Sequence, residues 1–101
     1  MTKKQYLQQY LLQQKKINRL NAMLEQENDD RQQILNEIKK CEELRYEIER
    51  KINKVNDPLL KEVLFLKYTC GKSLLEISYI INYSLRHTER LHKTALSKFK
   101  H

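Results

Sequence analysis

Apolar residues recur at helical spacing along most of this 101-residue chain. From Lys4 to about Gln26 they fall at Tyr6, Tyr10, Ile17, Leu20 and Leu24. From Arg31 to Val55 they fall at Ile34, Ile38, Cys41, Leu44, Ile48, Ile52 and Val55. Steps of three, four and seven place one apolar stripe on each segment. The other faces are Gln, Lys and Glu, which favour helix. The pattern predicts two amphipathic helices with a break near Asn28, where Glu25-Gln26-Glu27-Asn28-Asp29-Asp30 is wholly polar. Asp30, followed three residues later by Gln33, can cap the second helix.

The same residues fit a rival arrangement. Tyr10, Ile17, Leu24, Ile38 and Ile52 share one heptad position; Tyr6, Leu20, Ile34, Cys41, Ile48 and Val55 share another. Only Gln13, Glu27, Arg31 and Arg45 interrupt that register. A single long helix dimerising as a coiled coil satisfies it, and no Gly or Pro forbids it. The hairpin is favoured because Glu27 and Arg31 fall beside the polar run. In either case the stripe through Ile34, Ile38, Cys41, Ile48 and Ile52 needs a partner surface. The other helix, the C-terminal half and a second chain are the candidates, and a homodimer is expected.

Asn56-Asp57-Pro58 separates this half from the next. Asp57 suits an N-cap and Pro58 the first residue of a helix. The expected division is a helical hairpin or coiled-coil appendage over 1–56 and a second domain over 57–101. The second domain predicts three helices. The first runs from Pro58 to about Tyr68, with Leu59, Val63 and Leu66 inward and Leu60 and Leu64 as further candidates. Gly71 follows it in a left-handed turn. Ser73 and Glu76 form a capping box for a short helix that buries Leu74, Ile77, Ile80 and Ile81. Asn82-Tyr83 turn the chain, and Ser84 caps a last helix from Leu85 to about Phe99. The fold class is all-α, ending in a three-helix helix-turn-helix.

Charge sharpens the picture. The net charge is +7. Residues 1–57 hold 12 Lys/Arg against 10 Asp/Glu, whereas residues 58–101 hold 8 against 3. The positive field therefore gathers on the second domain, as a phosphate-binding surface requires. Thr88, Leu91, Ala95 and Phe99 lie on one side of the last helix, and Arg86, Arg90, Lys93 and Ser97 on the other. A helix-turn-helix sets such a helix in the DNA major groove, with its first residues at base edges and later ones nearer phosphate. The base-contact candidates are Arg86, His87, Glu89 and Arg90, since the guanidinium fork matches guanine and a carboxylate can accept from cytosine. Lys72, Ser73, Ser84 and Lys93 are phosphate candidates, the serines standing at helix N-termini. Tyr79 and Tyr83 are expected to be packing residues.

Other chemistry finds little footing. No run approaches the roughly 18 apolar residues of a membrane span, and the N-terminus lacks a signal-peptide core. A cytoplasmic protein is expected, with no membrane partner. Cys41 and Cys70 lack zinc spacing and are expected to pack as thiols. His87 and His92 lack a third ligand. No nucleophile–base pair, phosphate loop or carboxylate pair stands out, so neither an enzyme nor a cofactor is expected.

Residues 60–99 resemble region 4 of bacterial sigma factors. The matching features are Val63-Leu64-Phe65-Leu66-Lys67-Tyr68, Leu75-Glu76-Ile77-Ser78, Tyr83-Ser84 and Ala95-Leu96. The pattern Lys67-Tyr68, Leu75-Glu76-Ile77, Tyr83-Ser84-Leu85-Arg86, Arg90-Leu91-His92 and Ala95-Leu96 is more similar to phage-encoded late-gene regulators of the ArpU and RinA type. That resemblance implies a transcriptional regulator of phage or mobile-element genes in the cytoplasm of a bacterial host cell, an activator bound to double-stranded DNA, with bacterial RNA polymerase as a further candidate partner. It supports recognition contacts through Arg86, Glu89 and Arg90. The promoter-melting regions of a full sigma factor have no room here. Two other functions compete: a protein-interaction module acting on another regulator or on polymerase through the heptad stripe, and a DNA-recognition subunit like a phage small terminase.

Overall fold

The computed structural model describes residues 1–26 and 29–101. The described residues form five helices and no strand: α1 (Lys3–Leu24), α2 (Arg31–Asn53), α3 (Pro58–Tyr68), α4 (Leu74–Ile81) and α5 (Leu85–Lys98). The molecule measures 52 × 25 × 21 Å. No helix among the described residues is long and apolar enough to cross a membrane.

α1 and α2 pack antiparallel, so the stripe is divided between two helices rather than continued along one. Tyr6 Oη donates to Glu47 Oε2 at 3.0 Å, Tyr10 Oη to Glu49 Oε1 at 2.6 Å, and Lys16 pairs with Glu37 at 3.3 Å. Two of the polar residues that interrupt the heptads make contacts between the two helices. Arg31 opens α2 and its Nη1 donates to the Leu24 carbonyl at 3.4 Å, joining the end of α1 to the start of α2. Arg45 reaches across to Gln14 and covers the Tyr10 ring, 5.8 Å from its centroid. The expected break at Asn28, with Glu27, lies outside the described residues. Asp30 stands at the N-cap of α2, but its side chain makes no capping hydrogen bond there.

The stripe expected to seek a partner has one within the chain. Ile34, Ile38 and Cys41 close on Ile17 and Leu20 of α1. Ile48 and Ile52 join Tyr6, Leu7, Val55, Leu60, Leu64, Tyr68, Ala95 and Phe99 in a second cluster. The five stripe residues are therefore buried within the chain, because α1, α3 and α5 together remove them from water. Leu7, absent from the expected stripe, is fully buried. The second cluster draws on residues from both sides of Asp57, so α1 and α2 help to make the core on which α3 and α5 rest.

Local signals in the C-terminal half operate as anticipated. Asp57 Oδ1 accepts from the amides of Leu59 and Leu60 at 2.9 and 3.1 Å, with Pro58 at the first helical turn. Gly71 adopts φ +70°, a conformation costly for a residue with a Cβ. The inward face of α3 is displaced from expectation. Leu60, Val63, Leu64 and Tyr68 are buried, whereas Leu59 and Leu66 are only partly so. The reason is that α3 is enclosed by α1 and α2 as well as by α5, which moves its buried arc. On α4 the core residues are Ile77 and Ser78. Ile80 is 50% exposed, because the eight-residue helix meets neighbours along only one side.

Candidate nucleic-acid interface

The connection between α4 and α5 sets the angle of the last helix. Asn82 closes α4 in the left-handed conformation (φ 60°, ψ 41°), which Asn tolerates better than most residues. Tyr83 N–H then donates to the Ser78 carbonyl at 3.1 Å. Ser84 Oγ accepts from the His87 amide at 3.1 Å and starts α5. Thr88 follows, fully buried, with Oγ1 donating to the Ser84 carbonyl at 2.9 Å. The turn is thus tied into both helices by hydrogen bonds.

Along α5 the buried edge is Thr88, His92, Ala95 and, at the C-cap, Phe99. Ala95 lacks bulk, which permits close crossing with α3. Arg86, Glu89, Arg90 and Lys93 project on the exposed side, and His87 is half-exposed. Four candidate side chains therefore share one solvent-facing edge. Arg90 Nη2 lies 3.3 Å from His87 Nδ1, and the His87 ring sits 4.8 Å from the Tyr83 ring. Arg90 is thus oriented by His87. Glu89 makes no ion pair among the described residues.

The phosphate candidates differ in their surroundings. Ser73 Oγ accepts from the Glu76 amide at 3.1 Å while Ser73 N–H donates to Glu76 Oε1 at 3.0 Å. Those bonds, with Lys72 nearby, hold the Glu76 carboxyl below the usual range. The positive end of α4 already carries a carboxylate, so an anion at Ser73 meets like charge. The first turn of α5 has no acidic residue, leaving its amide end open beside Ser84. Lys72 is half-buried and Lys93 exposed.

Two features escaped the sequence pattern. His92 is buried on the inner edge of α5, and its Nε2 shares a 2.7 Å hydrogen bond with Tyr68 Oη. Its spacing from Thr88 and Ala95 carried the signal. Tyr79 and Tyr83, expected to pack, are 75% and 45% exposed. Leu75, Ile80 and Leu85 are exposed as well. The nearly continuous apolar run of α4 exceeds what an eight-residue helix can bury.

No protein-family model, curated protein or solved structure matches the chain.

Proposed function

We propose that this protein is a sequence-specific DNA-binding transcriptional regulator in which α4, the turn at Asn82 and α5 act as a helix-turn-helix supported by α3. The observation that carries this reading is the division of α5 into a buried edge and a cationic edge. Thr88, His92, Ala95 and Phe99 hold the helix down, while Arg86, Arg90 and Lys93 face solvent. A helix held in this way is pre-organised to enter a major groove, which admits one helix and offers guanine edges to arginine. Arg86 and Arg90, with His87 and Glu89, are the base readers. Ser84, Lys93 and Lys72 meet phosphate, and Ser73 serves mainly as a cap. The resemblance to ArpU- and RinA-type regulators suggests phage or mobile-element genes as targets and favours activation.

A second reading, docking onto another regulator or polymerase, loses the buried α2 stripe as its contact surface. It is favoured instead by the exposed Leu75, Tyr79 and Ile80 on α4. Recovery of genomic DNA fragments by the purified protein at two salt concentrations separates the two. A short motif that persists at the higher salt supports regulation through DNA. Uniform recovery that vanishes with salt reports phosphate attraction alone and favours the protein partner.

A further inference from the structure

A second concentration of positive charge lies at the opposite end of α5. Lys51, Lys54, Lys98 and Lys100 line an open groove of about 610 Å³ where the C-terminal tail passes the α2–α3 connection. Val55 and Leu60, both buried, form its apolar floor. Two carboxylates stand close by: Glu47 lies 3.7 Å from Lys51, and Asp57, which also lines the groove, accepts the first amides of α3 through Oδ1. Lys54, Lys98 and Lys100 are exposed and, among the described residues, form no ion pair. Helix-end electrostatics favour a cation at the C-terminus of α2 or of α5 taken singly. They do not require four to converge on one groove, where Glu47 and Asp57 offset part of the charge and leave a net positive lining that an anion would balance.

We infer that this groove holds the phosphodiester backbone of double-stranded DNA flanking the site that α5 reads; the inference rests on the function proposed above. The geometry suits that position. The fourteen residues of α5 span roughly 20 Å at 1.5 Å per residue, whereas the major groove is about 12 Å wide. With Arg86 and Arg90 at base edges, the C-terminal end of α5 passes beyond the bounding phosphates. Lysine suits this task as a long-stemmed point charge without base specificity. The groove would extend the footprint and raise affinity equally for all sequences.

The test is fluorescence anisotropy of the full chain on a long duplex and on one trimmed to the footprint of α5, each across a salt series. Lys54→Gln/Lys98→Gln/Lys100→Gln alters only exposed side chains, and thermal melts check that it stays folded. On the long duplex it should reduce the slope of log K against log salt by about 2–3, at roughly 0.9 per phosphate contact, with base preference unchanged. On the trimmed duplex it should match wild type. A wild-type slope on the long duplex overturns the inference. Arg86→Ala/Arg90→Ala is run beside it. If that variant keeps wild-type base preference while the lysine variant lowers the slope, the α5 reading fails and the groove stands as a DNA site. If the arginine variant alone has an effect, the groove fails and the α5 reading stands. A wild-type chain that binds neither duplex overturns both.

Discussion

Tyr68 at the end of α3 and His92 in the middle of α5 share a 2.7 Å hydrogen bond between Oη and Nε2, both residues buried. This bond joins the two helices behind the cationic edge. Burial pushes the Tyr68 hydroxyl up to about 12. It pushes the His92 imidazole down to about 4, with Lys67 and Lys4 adding repulsion. The pair is therefore neutral at pH 7, a shape-specifying polar contact inside an apolar interface.

Stability should depend on pH through His92. The unfolded imidazole titrates near 6.5 and the folded one near 4. Between those values the unfolded chain binds the extra proton, so its contribution is complete above pH 6.5 and declines as pH falls toward 4. The contribution is of order 3 kcal/mol. Urea midpoints measured across that window should fall with acid in wild type and fall less in His92→Gln. Parallel curves for the two proteins would show that another group dominates.

Removing the hydroxyl partner tests the same bond at fixed pH. Tyr68→Phe keeps the ring but leaves His92 Nε2 buried without its partner, at a cost of about 1–3 kcal/mol. Chemical denaturation at pH 7 reads this directly. A loss below half a kilocalorie would indicate that water replaces the hydroxyl.

Reading of bases by α5 predicts separable variants. Arg86→Ala or Arg90→Ala should each remove about 1–3 kcal/mol of binding to the recovered motif and relax preference at one position. Lys93→Ala should weaken all sequences alike and reduce the salt slope by about 1. Competition binding against single-base variants of the site distinguishes these results. Unchanged preference in both arginine variants would place recognition elsewhere.

Truncating the α2 stripe should destabilise the fold without altering assembly. Ile48 is fully buried within the chain, so Ile48→Ala should cost about 2–5 kcal/mol of folding stability. Light scattering at low temperature should give the same molar mass as wild type. A change of oligomeric state with little loss of stability would return the stripe to an intermolecular role.

The last helix also depends on its cap. Ser84→Ala removes the acceptor for the His87 amide, with an expected loss of about 1 kcal/mol. Hydrogen exchange should show the loss concentrated in the first turn of α5. Uniform exchange would mean that the turn is held by Thr88 and Asn82 instead.

The sequence determined those features that depend on near neighbours. Asp57-Pro58, Gly71, Ser73 with Glu76, and Ser84 mark helix ends because their hydrogen bonds and backbone preferences act over one to four residues. The exposed line of Arg86, Arg90 and Lys93 followed from helical periodicity alone. Other features needed partners distant along the chain. Whether α1 and α2 form one helix or two was settled by contacts such as Tyr6 with Glu47 and Arg31 with Leu24, since the heptad pattern fits both arrangements. The destination of Ile48 and Ile52 was likewise a tertiary matter: an apolar stripe requires cover but does not specify which surface supplies it. Tyr68 with His92 combines both levels. Periodicity puts His92 on the inner edge of α5, but only the crossing of α3 and α5 brings a hydroxyl to its ring nitrogen.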